Sequence, residues 1–572
     1  MEKKFEITQR GIIFNFSEAY VKNETEVLSS EAFKAIFTSY LEHVKNVENS
    51  NLLELINLTN NPVNDLTNFF KLLISFSLDE VSNVSDLAKT LVSHKDRLCE
   101  LCEDFYDWWR NKERYSIVKS PAKKNSIESI NFIGEVENFN QLILKTYRAI
   151  TQKLMGVDFY IYRQLTAGVN ASLAICTNKW AKSGSTYEKL NQISFINRVV
   201  IRPPFIYYSD KNTRKGVFPF VKEDFLNQFE LSNNDFFCYP CRVGASLTYV
   251  YFHKDYMDHG VALSNLFEFE HIEDCLNKKP DLICIFGAPL TGEPRYTYDE
   301  ANDIYVGMLP HGKEIDYFGY MKKMLLTLHN TRMIKEGYLP IHGAGVLLKL
   351  KNGKEKMLVL MGDSGAGKSE TLEALKLHAG NEIVSTKTIF DDMGTFKIIN
   401  NQVYAIGTET GAFVRLDDLE NGYAYKEMDR AIFINPNQTN ARLVMPVAAY
   451  KTIMQGFKVD MFFYANNYST DDNIMVQFEN KESAIKVFRE GARVAKGTTS
   501  ETGLVTSYFA NPFGPTQNKE VCDKLLDNYF DVLFDTNTPV GEIHTRLAVK
   551  GFEHEGPKEV AKFLYDLVKN ND

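Results

Sequence analysis

The chain has 572 residues, of which 44% are hydrophobic, 13% aromatic and 24% charged, and this composition excludes disordered and fibrous proteins. The length exceeds what one hydrophobic core usually organises, so we expect two or three domains. The formal net charge of -9 argues against a general nucleic-acid-binding surface, although a local basic pocket for phosphates can coexist with it.

Neither a membrane span nor an export signal is predicted. No stretch reaches the roughly 18 uninterrupted apolar residues that a membrane span needs. The first six residues, Met-Glu-Lys-Lys-Phe-Glu, lack the apolar core of a signal peptide. We therefore expect a cytoplasmic protein with no membrane partner.

The eight cysteines are scattered along the chain, and in a cytoplasmic protein they are expected to be reduced. Cys99/Cys102 and Cys238/Cys241 each have the spacing of a zinc half-site. About 135 residues separate the two pairs, and the first lies in a predicted helix. Buried thiols are therefore favoured over a shared zinc site.

Residues 1–155 are predicted to form an all-α N-terminal region. From about residue 30, Leu, Ile, Phe and Val recur at intervals of three and four with almost no Gly, which is typical of amphipathic helices. For Trp108 and Trp109, a core stripe is favoured over a binding surface. We assign this region no chemistry, and a protein partner is the one ligand that we expect its helices to bind.

From residue 156 the predicted structure is mixed α/β. Short β-rich runs, such as 199–201 and 282–286, are separated by Gly and Pro. Helices are predicted near the end of the chain, around 519–534 and 557–569.

The strongest local pattern is a P-loop. An apolar run at 357–361 is followed by Gly-x4-Gly-Lys-Ser and then by a helical segment, so the strand, loop and helix stand in the required order. Lys368 is expected to bridge the terminal phosphates of a nucleotide, and Ser369 to contact a divalent cation. The predicted nucleotide-binding residues are Gly362, Asp363, Ser364, Gly365, Ala366, Gly367, Lys368, Ser369 and Glu370.

A pair of carboxylates follows the P-loop. A strand-like run at 386–390 leads into Asp391 and Asp392, about 22 residues beyond Ser369. Mg²⁺ and Mn²⁺ prefer oxygen ligands. An Asp-Asp pair on its own would be interpreted as a solvated turn, but downstream of a P-loop a metal site is favoured.

Five further features resemble the phosphoenolpyruvate carboxykinases. In chain order they are Pro-Asp-Leu-Ile-Cys-Ile-Phe-Gly-Ala-Pro at 280–289, Tyr-Phe-Gly-Tyr-Met-Lys-Lys at 317–323, His342, Gly-Ala-Phe-Val-Arg at 411–415 and Thr-Asn-Ala-Arg-Leu-Val-Met-Pro at 439–446. The histidine falls where the metal-binding His of that family precedes the P-loop. The matches cover roughly residues 240–515 and are more specific than a P-loop alone.

The resemblance implies an α/β fold, namely the two-domain carboxykinase-like P-loop fold, here with an all-α N-terminal extension. It implies a substrate domain over 156–335 and a nucleotide- and metal-binding domain over 336–572. The implied cofactors are Mg²⁺, Mn²⁺ and ATP or GTP, with ADP or GDP in the reverse direction. A small carboxylate would be the second substrate.

The resemblance also implies roles for individual residues. Arg442 would neutralise the transferring phosphoryl group, and Tyr317 would line the carboxylate pocket. Asp392 would hold the second ion, and Asp391 would act on the Mg²⁺ side. The implied catalytic residues are Tyr317, Lys323, His342, Lys368, Asp391, Asp392 and Arg442, and the implied metal ligands are Lys323, His342, Ser369, Asp391 and Asp392.

The chain departs from the carboxykinase pattern in several places. The Thr-Gly-Arg-Ser-Pro segment that carries the oxaloacetate-binding Arg is missing, and Arg163 and Arg214 are the positional candidates for its role. Thr502 stands where a late nucleotide-contacting Arg is expected. Tyr320 and Arg415 replace an expected Glu and Lys. The base of the nucleotide is therefore left open.

The P-loop taken alone is closer to that of HPr kinase/phosphorylase. Both end in Ser-Glu, and Ile-His-Gly at 341–343 is similar to the His-Gly that precedes that P-loop. This likeness covers about 60 residues. It is locally closer than the resemblance to the carboxykinases, but it extends over much less of the chain.

Three functions follow from these patterns. The first is a carboxykinase-like enzyme that decarboxylates oxaloacetate and phosphorylates the enolate to phosphoenolpyruvate. The second is a hydroxyl kinase, in which Asp391 or Asp392 would serve as base toward a serine or a small alcohol. The third, a non-catalytic nucleotide-binding module, is disfavoured because it would need neither the metal ligands nor Arg442.

Overall fold

The chain folds into two compact units. The first comprises Met1–Thr177, Ser194–Arg202 and Asn233–Asp235, and the second comprises Asn178–Ile193, Pro203–Ser232 and Phe236–Asp572. The computed structural model describes residues 3–47, 52–120, 128–156, 167–363, 365–378, 383–419, 423–495 and 502–570. With 39% helix and 28% strand, the predicted mixed α/β class is confirmed. The three-part division at 155/156 and 335/336 stays a prediction.

The first unit combines a helical bundle with a sheet of strand order β1-β2-β3-β4-β5. The middle strand β3 pairs in parallel with both β2 and β4. Its elements are β1 (Phe5–Ile7), β2 (Gly11–Asn15), α1 (Glu24–Ser29), α2 (Glu31–Asn46), α3 (Leu52–Ile56), α4 (Pro62–Ser75), α5 (Leu78–Ser82), α6 (Asp86–Ser93), α7 (Lys95–Arg110), β3 (Glu113–Lys119), α8 (Glu128–Met155), β4 (Ala171–Thr177) and β5 (Ser194–Ile201).

The prediction that residues 1–155 are all-α is wrong, because β1, β2 and β3 lie within them. Strand β3, with the sequence Glu-Arg-Tyr-Ser-Ile-Val-Lys, is rich in residues that favour strands. It is shorter than the window in which helical periodicity is read. The guanidinium of Arg114, which is buried, donates to the carbonyls of Gly168 at 2.6 Å and Lys112 at 2.7 Å. These bonds hold the strand against its surroundings.

Of the two tryptophans of α7, Trp109 is buried and Trp108 is partly buried against the helical core of the first unit. The indole of Trp109 is buried and donates to the carbonyl of Ala167 at 2.7 Å. Trp108 packs against Tyr40 and Phe105. The interpretation as core residues is therefore supported.

The second unit begins with a sheet of strand order β7-β8-β10-β12-β11, with β9 paired to β7. Strands β8 and β12 are both parallel to β10, so their carboxyl ends lie at one edge. The strands are β7 (Phe236–Val243), β8 (Ser246–His253), β9 (Glu268–Phe269), β10 (Leu282–Ala288), β11 (Arg295–Asp299) and β12 (Ile304–Pro310).

A second sheet of this unit carries the P-loop. Its order is β14-β13-β16-β17-β21-β25-β22, with β15 on β13, and an additional β14–β21 pairing closes a ring of strands. Its strands are β13 (Leu339–Leu350), β14 (Glu355–Met361), β15 (Ile383–Phe390), β16 (Met393–Ile399), β17 (Gln402–Gly407), β21 (Phe457–Asn466), β22 (Met475–Gln477) and β25 (Val540–His544).

Two smaller sheets complete the strands of the second unit. The first has the order β18-β20-β19-β6, and the other pairs β23 with β24. The strands are β6 (Phe205–Tyr207), β18 (Gly411–Arg415), β19 (Ile432–Ile434), β20 (Arg442–Pro446), β23 (Ala492–Val494) and β24 (Leu504–Thr506).

Helix α11, which contains most of the motif at 317–323, is deeply buried. Nearly all of its side chains are buried, including that of Lys322. None of the described helices has the length and apolarity that crossing a membrane requires. The helices are α9 (Met257–Ala262), α10 (Ile272–Cys275), α11 (Phe318–Lys335), α12 (Lys368–His378), α13 (Tyr423–Lys426), α14 (Tyr450–Ile453), α15 (Lys481–Glu490), α16 (Lys519–Asp535) and α17 (Glu555–Asn570).

The cysteines are free thiols. Cys102, Cys238 and Cys241 are buried, and burial raises the pKa of Cys102 and of Cys241. Since a thiolate is the form that binds zinc, this environment supports the interpretation of buried thiols for these three cysteines, whereas Cys99 is partly exposed.

Replacing Arg114 by Ala is expected to lower the free energy of unfolding of the first unit by about 3 kcal/mol, because buried carbonyls lose their donor. Urea denaturation followed by tryptophan fluorescence measures the change. The matched control is Arg97→Ala, whose exposed guanidinium pairs with Glu54 and whose loss should cost less than about 1 kcal/mol. Equal midpoints for the two variants would contradict the role given to Arg114.

Candidate active site

The predicted strand, loop and helix of the P-loop are all present in the second unit. Strand β14 ends at Met361 and α12 begins at Lys368. Gly367 has a φ of +88°, and a Cβ atom there would lie 2.6 Å from the hydroxyl oxygen of Thr545. Both the conformation and the close approach require glycine. Ser364 lies outside the described residues.

Neighbouring strands fix the carbonyl groups of this loop. The hydroxyl of Thr545 donates to the carbonyl of Ala366 at 2.7 Å. The amide of Asn467 donates to the carbonyl of Gly365 at 2.8 Å. Side chains that follow β21 and β25 therefore hold two carbonyl groups of the loop in place.

Lys368 is buried at the start of α12. Its ammonium donates to the carbonyls of Gly362 at 2.6 Å and Asp363 at 2.9 Å. Burial lowers its pKa, and the charge of Asp392 opposes that shift. The ammonium thus lies inside the loop, where the phosphates of a nucleotide are expected.

The two aspartates after β15 contact different partners. The hydroxyl of Ser369 donates to the carboxylate of Asp391 at 3.5 Å. The carboxylate of Asp392 instead lies 2.7 Å from the ammonium of Lys323 and 3.0 Å from Nε2 of His342. The structure therefore places Ser369 beside Asp391, and Lys323 and His342 beside Asp392. These are the five predicted metal ligands.

Sequence reasoning missed two charged groups beside Asp392. Lys322 Nζ lies 2.7 Å from the carboxylate of Asp392 and 2.9 Å from that of Glu409. Both Lys322 and Glu409 are almost fully buried. The Lys-Lys pair of α11 was a signal for Lys322, whereas nothing in the sequence around Glu409 marked it.

Burial and charge act against each other on these groups. Burial would raise the pKa of Asp392, but Lys322 and Lys323 outweigh it and hold that pKa well below its ordinary value. Burial lowers the pKa of Lys323, and the neighbouring charge of Lys322 adds to this. Burial raises the pKa of Glu409 to about 7, although Lys322 opposes the shift.

His342 is oriented by the main chain on its other side. Its Nδ1 lies 2.6 Å from the carbonyl oxygen of Ala510, so Nδ1 carries a proton and Nε2 faces Asp392. A metal-binding imidazole is commonly fixed by such a bond to its second nitrogen. Nitrogens and carboxylate oxygens about 3 Å apart can bind one ion, so Lys323, His342 and Asp392 fit a dication such as Mn²⁺.

The peptide group that joins His342 to Gly343 connects the P-loop to Asp392. Its C=O accepts from the N–H of Gly362 at 3.0 Å, and its N–H donates to the carbonyl of Asp392 at 3.1 Å. A Cβ atom on Gly343 would lie 2.5 Å from the carbonyl oxygen of Leu360. Strand β13 can therefore pass this close to β14 only with glycine.

Two further predicted catalytic residues, Arg442 and Tyr317, lie around the ring of Phe413 together with Lys322. The guanidinium carbon of Arg442 lies 5.2 Å from the ring centroid of Phe413, and Lys322 Nζ lies 5.5 Å from it. The ring of Tyr317 lies 6.0 Å away. Nε of Arg442 is buried and has no hydrogen-bond partner among the described residues.

Arg415 lies opposite Arg442 in the register of β18 and β20. Like charges directly opposite each other in a sheet are unfavourable, and Asp417 contacts Arg415 at 3.2 Å. The carboxylate of Asp417 therefore reduces this repulsion.

Arg214 contacts the same aromatic residue as the metal-ligand candidates. The ring of Phe513 lies 5.0 Å from the guanidinium carbon of Arg214, 4.5 Å from Lys323 Nζ and 5.9 Å from the ring of His342. Arg163, the other positional candidate, lies outside the described residues.

Asp363 is engaged within the protein. Its carboxylate lies 3.0 Å from Nε of Arg493 and 3.6 Å from Nδ1 of His342. Asp363 thus ties the P-loop to β23. The carboxykinase resemblance also implies a closing loop near residues 493–502, of which 496–501 lie outside the described residues.

Comparison with protein-family models and with curated proteins gives no match for this chain. The carboxykinase-like family therefore stays a prediction. The geometry above is the basis for the assignment of function.

Asp392→Asn is expected to lower the free energy of unfolding by about 3 kcal/mol at pH 7, since Lys323 loses its counter-charge and buried Lys322 keeps only Glu409. Because the folded pKa of Asp392 is depressed, this stability is present above about pH 4 and is lost as the pH falls further. The wild type and the variant should therefore converge in acid.

Urea denaturation at several pH values measures that convergence. Asp391→Asn is the matched control and should cost less than about 1 kcal/mol. A constant difference between wild type and Asp392→Asn down to pH 2 would show that the lysines do not depend on this carboxylate.

Proposed function

We propose that the chain is a nucleotide-dependent, phosphoenolpyruvate carboxykinase-like enzyme. It would decarboxylate oxaloacetate and transfer the γ-phosphoryl group of ATP or GTP to the resulting enolate, giving phosphoenolpyruvate. The observation that carries the proposal is the cluster of Lys323, His342 and Asp392 beside the P-loop. The carboxykinase-like P-loop fold is part of the same proposal.

The charge state of Asp392 favours this reaction over a hydroxyl kinase. A general base must accept a proton near the working pH, whereas the pKa of Asp392 is held well below its ordinary value by two lysines. Asp391 is engaged with Ser369, the P-loop serine. The pair is therefore better suited to neutralise cations than to take a proton from an alcohol.

The residues fit two dications. Lys323, His342 and Asp392 would hold Mn²⁺, since burial lowers the pKa of Lys323 and a neighbouring dication would favour its deprotonated amine further. Ser369 and Asp391 would hold Mg²⁺. When bound, such ions polarise a carbonyl and neutralise phosphoryl charge.

The chain's own groups would perform the remaining steps. Breaking the bond between the carboxylate carbon and its neighbour releases CO₂ and leaves the electron pair as an enolate. The enolate oxygen attacks the γ-phosphorus while the bond to the nucleoside diphosphate breaks, with Lys368 holding the phosphates in line. Arg442, whose buried Nε has no hydrogen-bond partner within the described part of the chain, would neutralise the transferring group.

Arg214 is the group that we assign to the substrate carboxylate. It stacks on Phe513, the ring that Lys323 also contacts, so its charge lies beside the proposed Mn²⁺ ligands. Tyr317, whose ring packs near Phe413 as Lys322 does, would line the same pocket.

A coupled assay tests the reaction. Purified protein is expected to form oxaloacetate from phosphoenolpyruvate, bicarbonate, Mg²⁺, Mn²⁺ and either ADP or GDP, and Lys323→Ala is expected to lose at least about 100-fold in kcat because one metal ligand is removed. No turnover with any acceptor, while ATP still binds, would contradict the carboxykinase reaction and direct attention to hydroxyl or protein substrates.

Arg214→Ala is expected to raise KM for oxaloacetate by roughly 10- to 100-fold, since a charged hydrogen bond to carboxylate contributes about 1.5–3 kcal/mol. KM for the nucleotide should not change. The matched control is Lys215→Ala, an exposed neighbouring cation, which should leave both constants unaltered. An equal effect of the two variants would remove Arg214 from the substrate pocket.

A further inference from the structure

Three potential metal ligands lie in the second unit outside the site described above. His253 is the last residue of β8, Asp255 follows it by two positions, and His311 comes directly after β12. Since β8 and β12 are both parallel to β10, their carboxyl ends meet at one edge of the sheet. The fold thus brings together residues that are far apart in sequence, and the proposed function uses none of them.

Their separations are those of ligands to one ion. Nε2 of His311 lies 3.0 Å from a carboxylate oxygen of Asp255, and Nδ1 of His253 lies 3.3 Å from the same oxygen. One ligand atom from each residue lies within 4.8 Å of the other two. Zinc–nitrogen and zinc–oxygen bonds of about 2.0–2.2 Å place tetrahedral ligands roughly 3.3 Å apart.

The protonation state of His253 suits a metal. Nδ1 of His253 accepts a hydrogen bond from the main-chain N–H of Asp255 at 3.2 Å, so this nitrogen carries a lone pair. An aspartate carboxylate is ionised at neutral pH, since the ordinary pKa of Asp is about 3.9. An ion bound to Nδ1 of His253 would replace the long hydrogen bond from the N–H of Asp255. It would also contact the charged carboxylate of Asp255.

A packed shell holds the two imidazole rings in place. The ring of Phe236 packs edge-on against His253 at 5.2 Å, and the ring of Tyr256 lies 5.3 Å from that of His311. Gly287 has a φ of +83°, and a Cβ atom there would lie 2.8 Å from Cβ of His253. Because only glycine permits that approach, the end of β10 helps to fix the position of His253.

The cluster is open to solvent on one side. The side chains of His253, Asp255 and His311 are 18%, 21% and 37% exposed. An ion can therefore enter, and a fourth ligand can come from water.

We propose that His253, Asp255 and His311 bind a dication of the Zn²⁺ class, with one coordination position open to water. Two imidazoles and a carboxylate match the preference of Zn²⁺ and Co²⁺ for nitrogen together with oxygen ligands. Mg²⁺ and Ca²⁺ prefer oxygen ligands throughout and would bind this cluster poorly. The ion would join the end of β8 to the segment that follows β12.

Metal stoichiometry tests the site. The full-length protein, freed of metal by chelation, is dialysed against Zn²⁺ in excess Mg²⁺, and bound zinc is counted for wild type, Asp255→Asn and His311→Ala. Wild type is expected to bind one equivalent more than either variant. Ions at Lys323, His342 and Asp392 would be counted equally in all three proteins, so the result does not depend on the proposed function.

The control is His271→Ala, which removes an exposed histidine of the same unit and should retain the wild-type stoichiometry. Repeating the titration with Co²⁺ should give visible d–d bands that both cluster variants lose. Circular dichroism of the variants, with Asp255→Asn as the near-isosteric one, establishes that they are folded. Equal zinc counts in wild type and both variants would overturn the site, and so would retention of the extra equivalent by Asp255→Asn alone.

Discussion

The charge balance around Asp392 is the constraint on which the candidate site depends. Two lysines from one turn of α11 meet this carboxylate, and Glu409 shares one of them. Charges removed from water are tolerated only when they are paired. Because Lys322 is almost fully buried, α11 can hold its position only while the carboxylates face it. Folding of the second unit and assembly of the site are therefore linked through the same ion pairs.

The parts of the site that the sequence predicts are those with local causes. A strand, a glycine-rich turn and a helix follow one another directly, so the P-loop could be recognised, and so could the aspartates that end β15. Lys322 and Glu409 escaped notice because their meeting requires α11 to pack against the segment that follows β17. Strand β3 was missed because it is a short run between two long helices. In each case, contacts distant in sequence decided the outcome.

The two groups of candidate metal ligands in the second unit differ in surroundings. Lys323, His342 and Asp392 lie beside the buried Lys322, and the ammonium groups of Lys322 and Lys323 neutralise the carboxylate of Asp392. The trio around Asp255 is partly exposed and contains two imidazoles but no ammonium. Ligand type and exposure together select an ion. Because each trio offers two nitrogens and one carboxylate, exposure and neighbouring charge would be what distinguishes the ions that they prefer.

The peptide group between His342 and Gly343 has a consequence for how such a site can diversify. Its two ends hold the start of the phosphate loop and the main chain of Asp392. The distance from phosphate to metal ligand is thus set by backbone geometry, and no side-chain exchange can alter it without displacing β13 from β14. A different substrate would then have to be accommodated by changes in the surrounding residues, such as Phe413 and Phe513. The distance between the phosphate loop and the metal ligands would stay the same.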